Sequence, residues 1–474
     1  MPSSRMREHP PEPFGNHLMS TTTWASKSLA GWGRYPIVDT LCARPESQSQ
    51  TLKAFHDRQG DALLAHGFGR SYGDAALLSQ GRVVLTRRLK KMLEFDEASG
   101  LLRVEAGVTI GELIEVFLPR GWFVPVVPGT QFVSMGGAIG CNIHGKNHGH
   151  AGCFGDHVRS MEMLLASGEV VRCSREEHED LFWATIGGMG LTGIILNAEI
   201  QLQAVESGAI EMESIRFNNL DEFFQISAES SDYFHTVSWI DCVKSGAQMG
   251  RGIFMRGRHA SAAQARTLSE GPLERVVELA QRVLDGRAFE SNVLLNRATI
   301  RLFNEAYYHK HPAGEHHSVV GYEPFFFPLD AVENWNYVYG KRGFLQYQMV
   351  VPEREAVRDI LKVISESKMA SFLAVIKEFG DQDHGGLSFP CGGTTLALDF
   401  PNFGEPLLTM MDRLDELVAE VGGRVYLGKD SRLSAEMFRR MYPTWERWRE
   451  VRDRWDPQGV FQSDLSRRLG LTPA

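Results

Sequence analysis

Cysteine is sparse in this sequence: there are six in 474 residues, at Cys42, Cys141, Cys153, Cys173, Cys242 and Cys391, with no Cys-x-x-Cys pair and no framework spacing. That distribution excludes a disulfide scaffold and points to reduced thiols in a reducing compartment. Long apolar runs are also missing. No uncharged stretch approaches roughly eighteen residues, so no membrane span is expected, although surface association with a membrane stays open. Residues 1–20 hold Pro10, Pro11 and Pro13 among charged residues instead of a signal-peptide core, and read as a flexible tail. Positive charge is not in excess. The 50 Lys and Arg against 59 Asp and Glu leave a formal charge of -9, which argues against nucleic acid as a partner but not against local basic pockets.

What is present is an ordinary globular composition, 43% hydrophobic and 23% charged, in a chain long enough for two domains or for one split by an insertion. From Asp61 onward, short apolar runs alternate with glycine turns, and residues 62–65, 83–85, 101–105 and 123–127 read as strands. Thr109 is a candidate N-cap for a helix with Ile110, Leu113, Ile114 and Phe117 on one face, stopped by Pro119 and Gly121. Residues 158–165 and 169–172 flank Ser167-Gly168 as a hairpin, residues 178–185 read as a short helix ending at Gly187-Gly188, and residues 193–203 return as a strand. Beyond about Val205 glycine turns thin out and aromatics rise, which sets a boundary near residue 206. Helical patterns are expected at residues 273–283 and 298–307, with a mobile loop somewhere in 256–315. Near Gly422-Gly423 short strands and tight turns come back.

Two glycine clusters carry the chemistry. His66-Gly67-Phe68-Gly69-Arg70-Ser71-Tyr72-Gly73-Asp74 follows a strand and could close backbone amides on a pyrophosphate. It opens no helix and meets no acidic residue on a following strand, so it is not a Rossmann fingerprint; alone, it reads equally well as a tight inter-strand turn. Pro128-Gly129-Thr130 then leads to Ser134-Met135-Gly136-Gly137-Ala138-Ile139-Gly140, where small residues permit close backbone approach; tight helix–sheet packing is the alternative. Two such loops in one sheet suggest a dinucleotide. Directly downstream stands the polar cluster Cys141-Asn142-Ile143-His144-Gly145-Lys146-Asn147-His148. His144 and His148 have the spacing of a zinc pair on a helix, but Gly145 and Gly149 work against a helix and no nearby carboxylate completes a set, so no metal is expected.

The Gly-Arg-Ser-Tyr-Gly-Asp loop, the His-Gly-Lys-Asn-His segment and the two-part layout resemble the vanillyl-alcohol-oxidase family of FAD-binding oxidoreductases. Residues 31–34, 181–185, 343–348 and 429–432 narrow the resemblance to its decaprenylphosphoryl-β-D-ribose oxidase branch, the flavoprotein half of a two-enzyme epimerase, over roughly Leu29 to Leu469. The resemblance implies an α+β fold: a two-part FAD-binding PCMH-type domain with an inserted substrate domain built on an antiparallel sheet. The corresponding divisions are a tail at 1–28, the FAD-binding domain at 29–206, the substrate-binding domain at 207–423, and a segment at 424–474 completing the first. It implies FAD contacts at Gly67, Gly69, Arg70, Ser71, Tyr72 and Gly73, at Gly129, Thr130, Ser134, Gly136, Gly137, Cys141 and His144, and at Ile195 and Tyr426. The FAD is expected to be non-covalent, because Tyr72 and Gly73 stand where many relatives carry a tethering histidine.

Substrate contacts implied by the resemblance are Gln346, Gln348, Lys377, Lys429, Trp239 and Phe326, with Lys429 and His144 as catalytic candidates. Gln346 and Gln348 share one face of a strand and suit sugar hydroxyls, while Arg70, Lys146, Lys377 and Lys429 could hold a phosphate. Without the motif around it, Lys429 reads as an exposed lysine in a turn. The chain departs from the family at Ala397, a cysteine position, at Thr395, an asparagine position, and at Phe326, a tyrosine position.

The implied activity is FAD-dependent oxidation of the 2-hydroxyl of a polyprenylphosphoryl-β-D-ribose to the 2-keto sugar, the first half of epimerisation to the arabinose form in cell-envelope glycolipid biosynthesis. An NADH-dependent short-chain reductase would complete the epimerisation, and the lipid tail implies contact with a membrane surface, so the expected location is cytoplasmic or peripheral at the inner membrane. Two rivals stand beside it: an oxidase of a free aldonolactone or alditol, and a flavin-free sugar-phosphate binding protein.

Overall fold

Strand-sized apolar runs in the first half of the chain pair as their glycine turns require. The computed structural model describes residues 22–268, 297–371 and 373–473. Within it, β1 (Ala25–Ala30), β2 (Ile37–Ala43), β3 (Leu63–His66) and β4 (Arg82–Leu85) form a sheet in the order β1-β2-β4-β3, with β4 parallel to both neighbours. β5 (Met92–Asp96) and β6 (Leu101–Glu105) begin a second, antiparallel sheet. After the two-residue β7 (Trp122–Phe123), the hairpin β8 (Val158–Leu164) and β9 (Val170–Ser174) turns at Gly168, whose φ of 88° favours glycine. β10 (Ile194–Gln201) then inserts between β6 and β8, giving the order β5-β6-β10-β8-β9.

The helix Ile110–Phe117 starts on a Thr109–Glu112 capping box and buries Ile110, Leu113, Ile114 and Phe117. The strand expected at 123–127 is a correction. Pairing ends at Phe123, whose partner is Gln203 in β11 (Gln203–Ala204). Pro125 and Pro128 supply no N–H for a ladder, and the Pro125 carbonyl accepts from Asn147 Nδ2 instead. The unit after β6 is therefore not a strand-helix-strand within one sheet.

The second half builds one eight-stranded sheet from β12 (Ala209–Phe217), β13 (His235–Ile240), β14 (Gly252–His259), β15 (Glu315–Gly321), β16 (Phe344–Val351), β17 (Ala374–Phe379), β18 (Gly393–Pro401) and β19 (Arg424–Val425). Its order is β15-β12-β14-β13-β17-β18-β16-β19, antiparallel throughout. The amphipathic helices Arg354–Glu366 and Glu405–Glu420 pack their apolar stripes on one face in a core with Tyr347, Met349 and Leu398. The other face looks toward the glycine loops.

The helix expected at 298–307 runs Arg297–Lys310, whereas 273–283 lies outside the described residues, as does part of the segment where a mobile loop was expected. After β19 the chain returns to the first sheet. Phe461 bridges Leu63, Asp464 caps Ser79, and Arg468 pairs with Asp74 and Asp430. Among the described residues no helix is long and apolar enough to cross a membrane.

Candidate active site

Between the glycine loops and the large sheet lies a cavity of about 550 Å³, the size of pockets that enclose a cofactor or drug-sized ligand. One wall is backbone. Gly31 and Gly33 let the chain pass against the first loop so closely that a Cβ on Gly31 would stand 2.6 Å from the Ser71 and Tyr72 carbonyls. Trp32 and Gly33 amides donate to those carbonyls, which locks the loop's far side. Its near side is left with donors: among the described residues, the amides of Phe68, Gly69, Arg70 and Ser71 find no acceptor, and Arg70 Nε is buried without one. The two loops meet where a Cβ on Gly67 would strike Ser134 Oγ, itself the N-cap of the short helix Met135–Gly140. Gly129 and Gly190, by contrast, have open space where a side chain would stand. Unpaired donors beside a glycine-lined channel fit the pyrophosphate and ring system of a dinucleotide.

The opposite wall is made of side chains. Alternation along the strands turns Gln346 and Gln348 of β16, Val375 and Lys377 of β17, Thr395 and Ala397 of β18, and Val237 and Trp239 of β13 into the cavity. Register aligns Trp239, Val375, Ala397 and Gln348 in one cross-strand row. Gln348 Nε2 lies 3.0 Å from His144 Nε2, and Gln346 Nε2 donates to Asp399 at 2.5 Å.

Three lysines converge here. Lys146 Nζ donates to the Phe325 carbonyl, Lys377 Nζ lies 3.4 Å from the Gly145 carbonyl, and Lys429 Nζ sits 3.7 Å above the Tyr72 ring. Burial, then the neighbouring Lys377, brings Lys146 down to about 7; burial, then Lys429, brings Lys377 to about 8. Burial also lowers Lys429 to about 8 against the attraction of Asp399, while burial raises Asp399 to about 7 against its Gln346 bond and Lys429. The two titrate as one unit. Asp399 Oδ2 and His144 Nδ1 are buried without partners, and burial, followed by Lys377, holds His144 well below the usual imidazole range, hence neutral. The site thus combines an anion-seeking row of amines with a carboxylate–amine pair able to take a proton near neutral pH.

The structure brings nearly every residue singled out in the sequence to this cavity. Gly67, Gly69, Arg70, Ser71, Tyr72, Gly129, Thr130, Ser134, Gly136, Gly137, Cys141, His144, Ile195 and Tyr426 line it, as do Gln346, Gln348, Lys377, Lys429, Trp239 and Phe326. Gly73 is the exception: it lies outside the lining, and a Cβ there would stand 1.9 Å from the Asp430 carbonyl, so this glycine serves loop packing. His144 and His148 do not share a ligand set; His148 Nδ1 instead accepts from the Gly380 amide. His66, the first loop's histidine, points away, with Nδ1 2.8 Å from the Ala76 carbonyl. Sequence reading passed over Asp399 and Gly190. The period-two alternation through Thr395 and Ala397 was a signal for Asp399; nothing local marked Gly190.

Residues 40–174 match an FAD binding domain family, and residues 352–469 match a D-arabinono-1,4-lactone oxidase family. The chain is 40% identical to decaprenylphosphoryl-beta-D-ribose oxidase of Mycolicibacterium smegmatis, over 96% of this chain and all of that protein. It is 23% identical to L-gulono-1,4-lactone dehydrogenase of Mycobacterium tuberculosis over 92% of this chain and 98% of that one. A shorter likeness, 35% over 24% of this chain and 22% of the relative, joins it to human Delta(24)-sterol reductase.

Proposed function

This chain belongs to the decaprenylphosphoryl-β-D-ribose oxidase family of FAD-dependent oxidoreductases acting on CH–OH groups, and from that premise we propose that it oxidises the 2-hydroxyl of a polyprenylphosphoryl-β-D-ribose to the 2-keto sugar. The observation that carries the reading is the convergence in one cavity of paired glutamines on the sheet wall, suited to sugar hydroxyls, with Lys146, Lys377 and Lys429, suited to a phosphate. The residues at 207–423 act as the inserted substrate domain, and the two flanking segments together hold FAD without a covalent tether.

FAD, when bound, supplies the hydride acceptor. Gln346 and Gln348 orient the ribose, and Lys146 and Lys377 hold the phosphate. The Lys429–Asp399 unit takes the hydroxyl proton as the hydride leaves. Neutral His144, braced by Gln348, offers its free Nδ1 edge for orientation. Trp239 and Phe326 form apolar sides of the sugar site. A short-chain reductase using NADH would complete the epimerisation, and the prenyl tail would bring the protein to the inner membrane surface.

The D-arabinono-1,4-lactone oxidase match favours one second reading, oxidation of a free aldonolactone or alditol. The test is anaerobic: the purified flavoprotein is mixed with polyprenylphosphoryl-ribose or with free lactones and alditols while flavin absorbance is followed. Bleaching by the lipid-linked sugar alone supports the proposal, and bleaching by the free sugars alone replaces it with the second reading.

A further inference from the structure

Outside the cavity, next to the strand bridge between Cys153 and His144, three side chains of metal-ligating type converge without a role in the reaction. Cys153 Sγ, an imidazole nitrogen of His384 and a carboxylate oxygen of Asp156 all lie within 4.8 Å of one another. The Asp156 carboxylate is held in place by the Cys153 amide at 2.8 Å, and His384 Nε2 lies 3.1 Å from its Oδ1. The His384 ring is stacked on Trp183, with centroids 5.2 Å apart and planes 17° from parallel, which fixes the imidazole's direction. A fourth donor is at hand. The Asp156 Oδ2 and Gln382 Oε1 atoms close over Gly152 so tightly that a Cβ there would meet them at 2.3 and 2.5 Å, and Gly152 itself has a φ of 67°.

We propose that Cys153, Asp156 and His384, with the Gln382 carbonyl beside them, form a zinc site that clasps the sheet wall to the loop carrying His144. A thiolate, an imidazole and a carboxylate are the donor set zinc takes in tetrahedral sites, whereas calcium and magnesium prefer oxygen alone. Cys153 is buried while the side chains of Asp156 and His384 keep 27% and 18% exposure, so an ion can reach the thiol through them. The stacked Trp183 and the Cys153 amide supply the outer support that such ligands need.

Placement gives the site its consequence. Cys153 forms an isolated β-bridge with His144, and His384 sits between β17 and β18, the strands that present Lys377, Thr395 and Ala397. A bound ion would fix the spacing between His144 and that wall. Metal loss would then loosen substrate binding while leaving the glycine loops and their FAD in place.

The inference is independent of the substrate reading, and its test needs no substrate. Full-length holoprotein, stripped with a chelator, is titrated with Co²⁺ while the visible region to the red of flavin absorption is recorded. Tetrahedral d–d bands saturating at about one cobalt per chain are expected. Cys153→Ala should abolish them, His384→Ala should weaken Co²⁺ binding at least about tenfold, and flavin content should stay unchanged in both variants. His384→Ala, in a loop position, keeps the test informative if the buried cysteine variant fails to fold. Absence of bands at saturating Co²⁺, or bands of equal intensity in the variants, would overturn the proposal.

Discussion

The two walls of the cavity recognise by different means. The glycine wall offers main-chain amides on loops held at backbone distance, as where Gly31 meets the Ser71 and Tyr72 carbonyls, with Gly73 packing the same loop on Asp430 from outside the lining. The sheet wall offers side chains on a regular lattice, and what it presents depends on which residues stand at alternate positions of β16, β17 and β18. A backbone wall tolerates little substitution but carries little specificity. A lattice wall can change its ligand by single substitutions while the fold stands, and Thr395 and Ala397 are two such positions on β18.

The largest effects should come from breaking the backbone wall. Gly73→Ala would drive Cβ into the Asp430 carbonyl, a backbone group that cannot rotate away, at a cost of about 3 kcal/mol or more, and should yield little folded flavoprotein by absorbance per chain. Gly129→Ala meets nothing in the protein, so Tm of the FAD-free form should hold while FAD affinity drops about tenfold, near 1.4 kcal/mol. Equal losses in both variants would mean that Gly129 does not face the cofactor.

On the lattice side, Lys429→Ala should retain FAD and slow anaerobic flavin reduction at saturating substrate about 10²-fold or more. An unchanged single-turnover rate would remove Lys429 from the chemistry. With Asp399 near 7 and Lys429 near 8, the proton acceptor is lost on acidification, so the reduction rate should rise with pH through about 7 to 8. Substrate affinity should move the other way, because Lys146 and Lys377 lose their charge as pH rises through the same window.

Lys146→Met should separate stability from binding. The folded lysine sits near 7 against 10.5 unfolded, so the unfolded chain binds more protons in that interval and wild-type stability increases with pH there. The variant should lose that slope, raise the ligand-free Tm by about 2 °C at neutral pH, and bind the phosphorylated substrate more weakly. The smallest effect is expected for Ala397→Cys, which places a thiol in the row beside Gln348. Turnover should change by less than about 1.4 kcal/mol, while thiol-directed labelling at that position, read by mass spectrometry, should appear only in the variant.

Much of this was legible from residue order. The capped helix after Thr109, the hairpin at Gly168 and the two glycine loops are local matters of φ, caps and small side chains, and the family motifs carried the rest of the cavity lining. The failures were of another kind. The strand at 123–127 stopped at Phe123 because its partner, β11, is two residues long. Gly73 stands outside the cavity lining because residues 430–431, more than three hundred positions away, pass over it.

By itself, then, the sequence determined the elements, the reactive residue types and, through its motifs, the FAD-dependent oxidoreductase family. The tertiary structure alone decided which groups share low-dielectric space. Asp399 joined Lys429, Gln348 joined His144, and Cys153 and Asp156 met His384, because strand register and loop packing set distances across the chain. Protonation near neutral pH follows from those distances and from burial, and neither is written in the spacing of residues along one segment.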